Sequence, residues 1–215
     1  MTIKLIVFDL DGTLLDSIDD IAFSMNHVLE KNGFPVHPRD AYYYFVGDGA
    51  RLLMERALPE SSRTAAQVDA LLPEFMAYYD LHKADRTKPF DGLVPALEKL
   101  QADGVRFAVA SNKPHEVMPE LMRHYFPNIS FAVILGHRKG HPIKPDPEIV
   151  HDILAETGID RSDVLYVGDT AVDVLTAHAA GLKMAGALWG FRTRQELTEA
   201  GADFLLEKPQ SLLTL

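Results

Sequence analysis

The sequence predicts an α/β protein: a three-layer core built on a parallel β-sheet, with an all-helical cap inserted near its N-terminus. Short, continuously apolar runs recur along the chain, and segments of helical spacing separate them. One long stretch, 16–90, breaks that alternation and carries helical patterns with no buried strand. Runs that are apolar at consecutive positions belong to strands buried on both faces, which places helices on either side of a parallel sheet.

Taken in order, Ile3-Lys4-Leu5-Ile6-Val7-Phe8 reads as a strand that stops at Asp9. Helical patterns follow at 18–31, 50–58 and 65–82, bounded by the turn residues Asp16-Ser17 and Lys88-Pro89-Phe90-Asp91-Gly92, as expected of hinges between two bodies. The alternation then resumes, with strands at 105–110, 131–135, 164–167, 184–188 and 204–206. Helices are expected at 93–102, 116–125, 147–157, 170–180 and 193–200. Gly104, Gly158, Gly181 and Gly201 stand just past the ends of four of them. The expected division is a Rossmann-like core of residues 1–15 and 91–215 and a helical cap of residues 16–90.

The chain has 215 residues, 47% of them hydrophobic, enough for an ordinary globular core. Its 21 Lys and Arg against 31 Asp and Glu give a net charge of -10, which disfavours nucleic acid and anionic membrane as partners. Cysteine is absent, so disulfides, thiolate catalysis and zinc–thiolate sites are excluded. The N-terminal apolar run is too short for a signal peptide, and no stretch approaches the roughly 20 apolar residues that span a bilayer. A cytoplasmic protein, monomer or homodimer, is the expectation.

Asp9-Leu10-Asp11-Gly12-Thr13 puts two carboxylates at the tip of a buried strand. Side chains alternate in extended backbone, so Asp9 and Asp11 share one side while Leu10 points into the protein. Like charges that close are tolerable if a cation lies between them or one keeps its proton. Gly12 permits a sharp turn, and Thr13 offers a hydroxyl and an N–H to an anion. An Asp-rich turn is the plain alternative. A calcium loop of the EF-hand type would put Val7 at the first ligand position and fails.

In an open parallel sheet the ligand lies beyond the carboxyl ends of the strands. Ser111-Asn112-Lys113 follows one run; Lys144-Pro145-Asp146-Pro147 lies on the loop after another, with Asp146 capping the helix behind it. Gly168-Asp169-Thr170-Ala171-Val172-Asp173 follows a third, with its two acids one helical turn apart. Ser111 can donate to a phosphate oxygen, and Lys144 can neutralise a phosphoryl group and a carboxylate nucleophile together. Turn serine, surface lysine and helix N-terminal acids are the ordinary readings of each piece alone. Oxygen ligands from Asp9, Asp169 and Asp173, with a carbonyl and waters, describe a hard octahedral cation, best matched by magnesium.

With these four motifs at successive strand ends, the chain resembles the haloacid dehalogenase-type phosphohydrolase superfamily over essentially its full length. The helical insertion after the first motif is that of its helical-cap subgroup. Phe45-Val46-Gly47-Asp48-Gly49-Ala50-Arg51, Ser111-Asn112-Lys113-Pro114 and Trp189-Gly190-Phe191 are most similar to bacterial phosphoglycolate phosphatases. The resemblance implies Asp9 as nucleophile, Asp11 as acid and then base, and phosphate contacts from Gly12, Thr13, Ser111, Asn112 and Lys144. It implies magnesium held by Asp9, the Asp11 carbonyl and Asp169, with Asp173 direct or through water. The expected substrate is a small phosphorylated metabolite, 2-phosphoglycolate in particular. A helix after Gly47-Asp48-Gly49 would project Arg51 toward its carboxylate, unless Arg51 is a surface residue.

Sugar-phosphate phosphatase, pyrophosphatase and β-phosphoglucomutase-like mutase are the alternatives within the subgroup. Asp11 argues against dehalogenase and phosphonatase chemistry. A receiver-type signalling domain places its acceptor on a middle strand and needs no helical insertion, and a degenerate phosphate-binding protein has no reason to keep every reactive group. His137 and His141 read as solvated. Tyr42-Tyr43-Tyr44-Phe45 reads as cap packing rather than a base-stacking platform.

Overall fold

The computed structural model describes residues 2–215. Leu5–Phe8 (β1) runs near the middle of a six-stranded sheet. On one side of it lie Arg106–Pro114 (β4) and then Phe131–His137 (β5); on the other lie Val164–Gly168 (β6), Lys183–Ala187 (β7) and Phe204–Leu206 (β8). Every pairing in this sheet is parallel. The pleat sorts β1 between two cores: Ile6 and Phe8 join one, Leu5 and Val7 the other, all at most 1% exposed.

Helices Leu93–Ala102 (α5) and Met118–Tyr125 (α6) cover the first face through Leu93, Leu97, Met118 and Leu121. Glu148–Thr157 (α7), Ala171–Ala179 (α8) and Arg194–Ala200 (α9) cover the second through Ile149, Ile153, Val174 and Leu197. The chain between β1 and α5 builds a third hydrophobic cluster on Ile18–Lys31 (α1), Tyr42–Phe45 (α2), Gly49–Ala57 (α3) and Ala65–His82 (α4). In α1 the buried positions Ile18, Ile21, Ala22, Met25, Val28 and Leu29 follow the helical repeat and form one apolar face. Truncating Met25, fully buried there, would cost about 2–5 kcal/mol.

Two short features at the junction escape sequence reading. Leu15–Asp16 (β2) pairs antiparallel with Lys88–Pro89 (β3), so the outgoing and returning strands of the insertion form a two-stranded ribbon. Asp20, fully buried in the first turn of α1, accepts hydrogen bonds from the Arg86 and Thr87 amides and from the Thr87 hydroxyl, at 2.7–3.0 Å. A two-residue strand containing proline has no periodicity to detect, and an acid on a helix N-terminus reads as a surface group.

β4 runs on to Pro114 where a stop at Ala110 was expected, so Ser111, Asn112 and Lys113 sit on the strand itself. Gly136 on β5 allows this approach, since a Cβ there would meet the Lys113 carbonyl at 2.5 Å. Of the cluster read as packing, Tyr42 is fully buried, its hydroxyl donating to Asn26 at 2.6 Å, and Tyr43 and Phe45 pack against the same hydrophobic cluster, whereas Tyr44 is exposed. No helix among the described residues is long and apolar enough to cross a membrane.

Candidate active site

Asp9 is the first residue past β1, and its amide donates to the Val167 carbonyl of the neighbouring strand at 2.9 Å. Leu10 turns back into the core, fully buried. The chain then folds over it, with the amides of Leu14 and Leu15 both donating to the Leu10 carbonyl and that of Gly12 to the Leu15 carbonyl, each at 2.9 Å. None of these backbone bonds ends on the Asp11 carbonyl. Gly12 has φ of 87°, and a Cβ there would lie 2.3 Å from Asp169 Oδ2, so both the turn and the approach of Asp169 require glycine.

The residues expected from the four strand ends converge. Lys144 Nζ, on a side chain 2% exposed, lies 3.0 Å from Asp9 Oδ1 and 2.7 Å from Asp173 Oδ1, and it also donates to the Ala110 carbonyl and the Tyr166 hydroxyl. The Asp9 contact is an ion pair without hydrogen-bond alignment: Oδ1 is buried and accepts no hydrogen bond. Asp169 receives the Thr13 hydroxyl at 3.1 Å on Oδ1 and the Phe191 amide at 2.7 Å on Oδ2. Asp173 is saturated, with Lys144 and Tyr166 on Oδ1 and the amide and hydroxyl of Thr170 on Oδ2.

Burial raises the Asp9 carboxyl to about 6, although Lys144 opposes it. Burial also drives Asp169 far above the usual carboxylate range, reinforced by Asp173 and Asp9. Burial works against the Lys144 ammonium, but Asp173 and Asp9 outweigh it and hold the charge in place.

A cavity opens between these strand ends and the cap. Asp9, Asp11, Ser111, Asn112 and Lys113 form its core side; Ile21, Val46, Leu53, Phe75, Met76 and Tyr79 form most of its cap side. Asp11 shares the cavity with Asp9, and its carboxylate is bound by a residue that sequence reading gave no role. Lys113 Nζ lies 2.9 and 3.0 Å from the two Asp11 oxygens and 2.7 Å from the Tyr79 hydroxyl of α4, while the Ser17 hydroxyl donates to Asp11 at 2.6 Å. The lysine stood within the motif Ser111-Asn112-Lys113-Pro114, but an isolated lysine in a sequence reads as a solvated charge.

Four of the expected phosphate and substrate contacts do not line this cavity: Gly12 packs against Asp169 and Lys144 lies beside Asp9 and Asp173, while Thr13 and Arg51 are engaged elsewhere. The Thr13 hydroxyl, fully buried, serves Asp169 and does not line the cavity. Arg51 is exposed on α3, its guanidinium paired with Asp69, and it too is absent from the cavity wall. The reason is its helix position: Ala50 and Leu53 take the inward face of α3. Asn112 instead joins the two bodies, donating to the Gly47 carbonyl of the cap at 3.0 Å and to the Lys144 carbonyl at 3.1 Å.

The haloacid dehalogenase-like hydrolase family model matches residues 6–187. The chain belongs to this family. It is 30% identical to a phosphoglycolate phosphatase of Haemophilus influenzae, over 99% of this chain and 97% of that one. It is 32% identical to phosphoglycolate phosphatase 1 of Pseudomonas aeruginosa, over 98% of this chain and 78% of that one. A predicted phosphoglycolate phosphatase from Haemophilus somnus superposes with a TM-score of 0.91 at 26% identity, covering 100% of this chain and 98% of that one. Like these relatives, the hydrolase is a phosphatase.

A cation fits the hydrolase's own residues. Asp9, Asp169 and Asp173 are buried and offer oxygens within 4.8 Å of one another. Four carboxylates, with Asp11, face two ammoniums, Lys113 and Lys144, leaving two negative charges in excess when all are ionised. Asp9 Oδ1, which has the Lys144 ammonium beside it but accepts no hydrogen bond, and the free Asp11 carbonyl point to the same need. A second cluster, His141, Glu148 and Asp152, is exposed or half-buried and already paired, His141 with Glu148 inside the cluster and Asp152 with Arg138 outside it.

Proposed function

We propose that the protein is a magnesium-dependent phosphomonoester hydrolase that works through an aspartyl-phosphate on Asp9, with 2-phosphoglycolate as its substrate. The observation that carries this reading is Asp9 itself: a buried carboxylate facing a cavity, one oxygen without a hydrogen bond, beside the fixed ammonium of Lys144.

A carboxylate oxygen of Asp9 attacks phosphorus as the bond from phosphorus to the ester oxygen breaks, and Asp11 gives its proton to the departing oxygen. Water then attacks the phosphorus of the acyl phosphate, Asp11 takes back a proton, and Asp9 leaves as the free carboxylate. Lys144 stabilises charge on the phosphoryl group in both steps. Asp9, Asp169 and the Asp11 carbonyl would hold magnesium, which supplies positive charge that lets a phosphate dianion approach an anion. Asp173, whose oxygens are taken by four donors, fixes Lys144 and reaches the metal through water at most.

The names of the curated relatives and the polar core side of the cavity, with Asp11, Ser111, Asn112 and Lys113, support phosphoglycolate. The apolar cap wall offers few partners to the ring hydroxyls of a sugar phosphate. The test is a panel at saturating magnesium comparing phosphoglycolate with hexose phosphates, nucleotides and pyrophosphate. A kcat/KM advantage for phosphoglycolate supports the substrate assignment, and its absence removes that assignment alone.

A further inference from the structure

We propose that Lys113 is the specificity-determining residue of this site, selecting phosphomonoesters whose leaving group carries a carboxylate close to the ester oxygen. The inference rests on the phosphatase reading above and deepens it.

Lys113 is the one cationic side chain among the described residues that lines the cavity. Lys144 is committed at the nucleophile to Asp9, Asp173, Tyr166 and Ala110. Arg51 faces Asp69, and Arg192 donates to the Val46 carbonyl. The cap wall contributes apolar side chains, backbone and a single hydroxyl, that of Tyr79. A substrate carboxylate buried there meets Lys113, which also holds Asp11 and Tyr79, as the cationic side chain of the wall, and a buried carboxylate without a counter-charge is strongly disfavoured.

Position adds to charge. The ammonium already touches Asp11, the group that protonates the departing oxygen. In phosphoglycolate the ester oxygen and the carboxylate flank one methylene carbon. An ammonium that binds the carboxylate while holding Asp11 therefore keeps the ester oxygen beside its acid. The second acceptor of Lys113 comes from α4, so this arrangement is complete only with the cap packed on the core.

The test compares phosphoglycolate with hydroxyethyl phosphate, its counterpart with a hydroxymethyl group in place of the carboxylate and a similar alkoxide leaving group, using the full-length enzyme with magnesium. The wild type should prefer phosphoglycolate. Lys113→Met should reduce that preference about 30-fold or more, mainly through the KM for phosphoglycolate, the scale of a lost charge-assisted hydrogen bond. Tyr79→Phe should reduce it less. An equal fall in kcat/KM for both substrates would overturn the proposal, because it would make Lys113 only a support for Asp11. A second measurement needs no variant: phosphonopropionate should inhibit the wild type at least about tenfold more strongly than propylphosphonate. Equal inhibition would also overturn the proposal. Failure of the wild type to hydrolyse any phosphomonoester would instead defeat the phosphatase reading.

Discussion

The Lys144 ammonium lies 3.0 Å from the Asp9 carboxylate, with both side chains no more than 9% exposed. Such a pair is costly to break from one side. Lys144→Ala leaves Asp9 and Asp173 as buried acids without their counter-charge, Asp173 keeping only the neutral donors Tyr166 and Thr170, and should lower folding stability by about 3–5 kcal/mol, in addition to abolishing turnover. Urea unfolding checks this. A loss under 1 kcal/mol, in the same range as an exposed pair, would show that the ammonium contributes little to holding the site together.

Asp11→Asn removes the proton donor while leaving the nucleophile. Turnover of esters with alkoxide leaving groups should fall about 10²–10⁴-fold, the usual scale of general acid catalysis. Aryl esters such as nitrophenyl phosphate, whose leaving groups depart without a proton, should fall much less. Steady-state kinetics over a series of leaving groups measures the difference; a uniform loss would argue against Asp11 as the acid.

Magnesium should stabilise the fold more at high pH than at low. The folded carboxyl of Asp9 stands at about 6 against an ordinary 3.8, so its share of metal-free stability is full below the ordinary value and lost as pH rises through 6. A bound cation offsets that loss and competes with the proton. The rise in Tm on adding magnesium should be larger at about pH 8 than at about pH 5. Calorimetry gives the comparison, and a pH-independent rise would remove Asp9 from the ligand set.

Arg51→Ala should change kcat/KM for phosphoglycolate less than about twofold, since it removes only an exposed pair with Asp69. Gly190→Ala should do far more. A Cβ at Gly190 would lie 2.3 Å from Asp169 Cβ and 2.4 Å from the Gly12 carbonyl, forcing the metal-side acid out of place. Kinetics of the two purified variants in parallel checks both.

Most of the architecture was legible because buried strands and amphipathic helices write their own periods. α1 and α4 keep the bounds read from the sequence, and Asp9, Lys144, Asp169 and Asp173 meet because each follows an apolar run in a parallel sheet. What stayed hidden depends on side-chain direction within an element. Arg51 differs from Ala50 by one position on α3, which turns it away from the cavity wall. Thr13 spends its hydroxyl on Asp169, and Phe191, on a loop between β7 and α9, supplies the other donor to that acid through its amide. Lys113 takes its meaning from Tyr79 across the cavity, a pairing that no local pattern encodes.

The central claim is covalent chemistry at Asp9, and the most direct test is to trap the intermediate. Enzyme mixed with phosphoglycolate and magnesium, quenched in acid within one turnover, should carry a phosphoryl group on the peptide containing Asp9 by mass spectrometry. The label should form and decay fast enough to account for turnover, and it should be absent in Asp9→Asn, whose activity should fall at least about a thousandfold. Undiminished turnover with no phosphorylated peptide, or with the group on another residue, would contradict the account.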